Sequence, residues 1–183
     1  CVVAVGTDMR GMSTKDIGSV ASALSDLNFA DSVFDVLVQG IINHVALARV
    51  ATGAMATDLF VDAGGTSLVD PSKIYYYGLS QGGIFGTTVV AYDPLIQRGV
   101  LGVGAGNYSL MLERSADWPT YRTILIGAYP NPLDVVILIY LLQVNFDRTD
   151  PATTSPGFFT NPFPETPAKQ LLIHMSVGDA EVP

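Results

Sequence analysis

Basic and metal-binding side chains are scarce in this chain of 183 residues. Its one cysteine, Cys1, excludes internal disulfides and cysteine-based zinc sites. Lysine and arginine number 9 against 17 acidic residues, a net charge of −8. Nucleic acids and anionic membrane surfaces are bound by cationic surfaces, so neither is expected as a partner. Charged residues make up only 14% and hydrophobic ones 49%, which excludes a disordered chain and implies a substantial core. The apolar run from Val135 to Leu142 falls far short of the roughly 18 to 20 residues of a membrane span. Pro132 and Asp134 interrupt its extension, so no integral membrane segment is expected. No basic stretch leads into a cleavage site near Cys1, so no signal peptide is visible and the compartment stays open. The length fits one domain. Its first residues already look like a buried strand, and it stops just after another, which reads as a fragment of a longer protein.

The residues present alternate between two periods. Val2 to Gly6 is a short apolar run of the kind that forms a strand covered on both faces, followed by a polar loop, Thr7 to Ser13. In that loop Asp8 and Arg10 are expected to bond each other or the loop backbone. Asp16 to Leu27 is a weakly periodic helix or surface segment. Asp31 is placed as the N-cap of a long helix whose apolar face runs from Val33 through Leu37, Ile41 and Val45 to Ala48. Asp62 to Pro71 is a loop by its glycines and Asp-Pro pair. A strand over Lys73 to Tyr77, a helix over about Gln81 to Tyr92 and a strand over Gly99 to Gly104 follow. Asn131-Pro132 starts an apolar helix over Leu133 to Phe146, with Asn as cap and Pro in the first turn. Asp150 to Pro167 reads as loop, and Lys169 to Ser176 as the last strand. Such alternation predicts an α/β fold, a mostly parallel sheet with helices on both faces.

Within this order, Gly78-Leu79-Ser80-Gln81-Gly82 is a G-x-S-x-G pattern with a strand running in and a helix running out. A serine hydroxyl is a weak nucleophile unless exposed, oriented and next to a base. A tight strand-to-helix turn exposes it at the expense of backbone strain, with small residues expected at Gly78 and Gly82 where the turn crowds its neighbours. The helix leaving the turn aims its N-terminal amides at the site, placing the Gln81 N–H to stabilise an oxyanion.

On these residues the chain resembles the α/β-hydrolase family, esterases and lipases among them. The resemblance makes Val2 to Gly6 with Asp8-Met-Arg-Gly11 the fourth strand and its exit loop, Gly78 to Gly82 the elbow after the fifth, and Gly99 to Gly104 the sixth. Leu171 to Ser176 with Gly178-Asp179-Ala-Glu-Val-Pro183 becomes the seventh strand and acid loop. It implies Ser80 as nucleophile, Asp179 as the acid with Glu181 as rival, Gln81 as oxyanion donor, no cofactor and no metal. It also implies a lid or cap insertion at about 107–168, whose apolar helix either roofs an acyl pocket or packs on the core. The family order of serine, acid, histidine is not completed. The two histidines, His44 and His174, both precede Asp179, one on a helix and one within a strand. The base and the second oxyanion donor are therefore expected outside these residues, and the 183-residue chain alone is expected to show little turnover. The function implied is cleavage of carboxylic esters, small-molecule or lipid-like, through an acyl-enzyme. A peptidase or amidase of the same fold, or a non-catalytic binding protein, are the alternatives.

Overall fold

The computed structural model describes residues 2–183. Three parallel strands, β1 (Tyr75–Leu79), β2 (Arg98–Gly102) and β3 (Gln170–His174), lie in that order in one sheet. The register aligns Tyr76 with Gly99 and Leu171, and Gly78 with Leu101 and Ile173. Around it lie helices α1 (Ile17–Ser25), α2 (Asp31–Thr52), α3 (Gln81–Tyr92), α4 (Tyr108–Leu112), α5 (Trp118–Ala128), α6 (Pro132–Phe146) and α7 (Pro151–Thr154). The chain is thus α/β.

Helix α3 connects β1 to β2 and lies against both. Its residues from Gly83 to Ala91 are all buried, so it is apolar all round and forms the centre of the molecule. Helix α2 packs on α3 through Phe34, Leu37 and Ile41, and Phe34 meets Phe146 of α6 edge-on at 4.7 Å. Burying side chains the size of Phe85 and Leu37 contributes about 2–3 kcal/mol each, so this interface dominates stability. A buried polar network fastens the far side. The Thr88 hydroxyl donates to the Thr149 carbonyl at 2.6 Å and lies 3.0 Å from the Thr154 hydroxyl. Asp150, fully buried, accepts from the amides of Tyr108 and Ala152. The stretch Leu27–Thr52 is long and apolar enough to cross a membrane, with a third of that window buried in the fold.

The structure corrects several expectations. Val2 to Gly6 pairs with no strand among the described residues, and Val2 is 94% exposed. An apolar run becomes a strand only when a neighbour supplies its ladder bonds, and none of the described residues does so. Helices do not cover both faces: α3 covers the face of Tyr76, Leu101 and Leu171, while Tyr75, Tyr77, Leu79 and Leu172 on the other face are exposed. Asp8 and Arg10 do not meet; Asp8 pairs with Lys15 and Arg10 with Asp16. Asp31 opens α2 as its first residue and Ala30 is the cap, because a 3-10 turn over Leu27–Phe29 feeds straight into the helix. Residues 151–158, expected as loop, hold α7 and a further 3-10 turn over Ser155–Phe158, with Asp150 accepting from Ala152 as the cap.

Candidate active site

Ser80 is the single residue between β1 and α3, and its backbone sits at φ 52, ψ −119. Few residues other than glycine adopt positive φ, and this ψ also lies outside the left-handed helical well. The turn is held on every side. The Ser80 N–H donates to the Gly102 carbonyl at 2.9 Å, and the Ser80 carbonyl accepts from Gly83 at 2.8 Å and Ile84 at 3.0 Å. The Ser80 hydroxyl makes no hydrogen bond among the described residues and is free to engage a base or substrate. Strand β2 also ends in strain, with Val103 at φ 45 and its N–H donating to the His174 carbonyl at 2.7 Å. Both strained residues lie at the carboxyl edge of the sheet, where parallel α/β folds bind ligands.

Close packing, rather than composition, explains most of the local glycines. A Cβ on Gly78 would overlap the Gly82 carbonyl, one on Gly83 the Gly102 carbonyl, and one on Gly86 the Tyr76 ring. These three let α3 press onto the strands. Gly82 differs, because a Cβ there would meet only the Tyr76 hydroxyl, at 3.8 Å. The expectation that crowding demands glycine at Gly82 is therefore corrected. The Gly82 carbonyl accepts from Tyr76 Oη at 2.8 Å, a bond any residue at this position could accept.

As first residue of α3, Gln81 has no earlier helical carbonyl to bond, and its N–H has no partner among the described residues. It is available as a donor beside the Ser80 hydroxyl, at the positive end of the helix dipole.

Ser80 and Gln81 open on a cavity of about 620 Å3 walled by α1, the start of α2, α4, α5 and α6. Its lining is mostly aliphatic and aromatic, including Leu24, Val33, Trp118, Tyr121, Leu142 and Phe146. Helix α6 thus joins the main core through Leu142 and Phe146, which also wall the cavity, and forms a second apolar cluster through Val135 and Ile139 with Leu24, Trp118 and Leu125. Its opposite face, with Leu133, Val136, Ile137, Tyr140, Leu141 and Val144, is exposed. Tyr108, which sequence reasoning did not single out, lines the same cavity, stacked on Phe85 at 5.2 Å and Phe146 at 4.5 Å. Burial pushes its phenol up to about 12, with the facing Gln81 side chain pulling the other way, so it is neutral near pH 7. No local pattern marks such a residue, because its place depends on α6 folding back over α4.

The two carboxyl residues of the terminal turn differ. Asp179 Oδ1 accepts from the amides of Glu181 and Val182, both at 2.9 Å, and so fixes the terminal turn. Glu181 and Val182, but not Asp179, line the cavity with Ser80. This turn is tied to the α4–α5 connection. The Ala116 N–H donates to the Ala180 carbonyl at 2.7 Å, and the Ser115 hydroxyl to the Glu181 carbonyl at 2.7 Å.

Neither histidine reaches the site. His44 Nδ1 lies 2.8 Å from the Gly40 carbonyl one turn back on α2, and His174 ends β3 with its side chain exposed. The arrangement brings together a strained serine, a free helix-terminal amide, an apolar cavity and Glu181, with no histidine among the described residues of the lining. No family model, curated protein or solved structure matches this chain.

Proposed function

We propose that the chain is the nucleophile-bearing part of an α/β-hydrolase-type serine hydrolase that cleaves carboxylic esters through an acyl-enzyme on Ser80. One observation carries the reading: a non-glycine residue held at φ 52 between a strand and a helix N-terminus, its hydroxyl free and facing an apolar cavity. Strain of this kind persists where it serves chemistry.

In this mechanism Ser80 Oγ attacks the ester carbonyl carbon while its proton passes to a base. The carbonyl oxygen becomes an oxyanion facing the Gln81 N–H. Collapse of the intermediate expels the alcohol, which takes the proton back from the base, and water then releases the acid by the same steps. The base is a histidine that neither His44 nor His174 supplies. The acid is Asp179 or Glu181; Glu181 gains support from lining the cavity, Asp179 from its fixed orientation. The apolar lining suits an acyl group of several carbons better than acetyl. The absence of any histidine from the cavity lining favours a second reading, a binding protein of the same architecture that performs no chemistry.

Labelling with a fluorophosphonate separates the two. The full-length protein carrying this chain is expected to be labelled and its Ser80→Ala variant not. Equal labelling of both, or none of either, would reject Ser80 as an activated nucleophile.

A further inference from the structure

We infer that Tyr76 is a positioning residue whose hydroxyl clamps the strained turn at Ser80, an inference that rests on the reading of Ser80 as nucleophile. Tyr76 lies on β1 four residues before Ser80, with its ring directed at α3, where it occupies the space left by the missing side chain of Gly86. Its hydroxyl donates to the Gly82 carbonyl at 2.8 Å. That carbonyl belongs to the same peptide plane as the Gly83 N–H, which donates to the Ser80 carbonyl at 2.8 Å. One rigid peptide is therefore pinned at both ends, its oxygen by Tyr76 and its N–H by Ser80.

The consequence is directional. Ser80 at φ 52, ψ −119 tends to relax, and relaxation requires its carbonyl to swing and the Gly82–Gly83 peptide to tilt with it. The phenol resists that tilt from the strand side, and the Gly102 carbonyl holds the Ser80 N–H from the other. Burial pushes the Tyr76 phenol up to about 12, so the donor proton is retained across the working pH range. The clamp also fixes the first turn of α3, and with it the direction of the free Gln81 N–H. Tyr76 touches no substrate; it acts through the peptide that Ser80 leans on.

Tyr76→Phe removes the hydroxyl and keeps the ring against Gly86. In the full-length protein, at a temperature where both forms are folded, the maximal rate of fluorophosphonate labelling is expected to fall about fivefold, as loss of one hydrogen bond worth of alignment implies, with the half-saturating concentration unchanged. An unchanged maximal rate would overturn the inference.

Stability supplies a readout independent of labelling, through a double-mutant cycle with Ser80→Gly. If the hydroxyl holds strain in place, Tyr76→Phe releases that strain when residue 80 is serine and has none to release when it is glycine. The substitution is then less costly in the Ser80 background than in the Ser80→Gly background, and additive effects would overturn the clamp. Failure of the wild-type protein to label would count against Ser80 as nucleophile, while the cycle still decides whether Tyr76 clamps the turn.

Discussion

Replacing Ser80 by glycine is expected to stabilise the protein, the reverse of what glycine does at most positions. Ser80 occupies φ 52, ψ −119, a conformation that costs a residue with a Cβ about 1–3 kcal/mol. Glycine adopts it freely but adds about 0.5–1 kcal/mol of conformational entropy to be lost on folding. The balance is a gain of about 1 kcal/mol, or roughly 2–4 °C in Tm for a domain of this size. Ser80→Ala is the control. Alanine keeps the Cβ and hence the strain, and the hydroxyl it deletes makes no hydrogen bond among the described residues, nor does it cap α3. Its stability should stay within about 0.5 kcal/mol of wild type. The two variants share the loss of the hydroxyl, so their difference isolates the backbone term. Urea denaturation followed by circular dichroism measures it. A Ser80→Gly variant no more stable than Ser80→Ala would refute the claim that the turn stores strain.

Two further outcomes follow from the packing. Gly86→Ala should destabilise by about 1–3 kcal/mol, because its methyl overlaps the Tyr76 ring, whereas Gly82→Ala should be nearly neutral in the same thermal melts. Asp16 accepts from Gly11 N, Ser13 N and Ser13 Oγ and pairs with Arg10. Burial works to raise its carboxyl, but the Ser13, Gly11 and Arg10 contacts outweigh it and hold the group below its ordinary 3.8. Its contribution is thus fully present above that value and lost as pH falls through the lower folded one. Asp16→Asn should flatten the acid limb of a stability–pH profile, and Asp16→Ala should cost about 2–3 kcal/mol at pH 7 by leaving buried amides unpaired.

Local chemistry was legible where it acts locally. The bounds of α3, Gln81 to Tyr92, follow from an abrupt change of residue type before it and Asp93-Pro94 after it. Asn131 caps α6 by accepting from Leu133, as the Asn-Pro pair predicts. Asp150-Pro151 carries the same signal and starts α7, but surrounding Thr, Ser and Pro residues masked it. What the sequence could not reveal depended on partners distant along the chain. Val2 to Gly6 has strand composition yet pairs with none of the described residues. The strained turn at Ser80 is legible because it is written into five consecutive residues, Gly78 to Gly82. Whether Asp179 or Glu181 lines the cavity turns on how the terminal turn closes against residues 115 and 116, which no local pattern encodes. Gly82 fits the pattern of a crowded turn, yet the space beside it is open, because the Tyr76 ring lies over Gly86 instead.

The two hydrogen bonds from Ser115 and Ala116 to the terminal turn make one wall of the cavity and Glu181 a single mechanical part. A ligand that wedges the α4–α5 connection outward to gain room carries the Glu181 backbone with it. Enlarging the chamber and displacing Glu181 are then one motion, so a bulkier occupant and a closed terminal turn compete for the same few ångströms of loop.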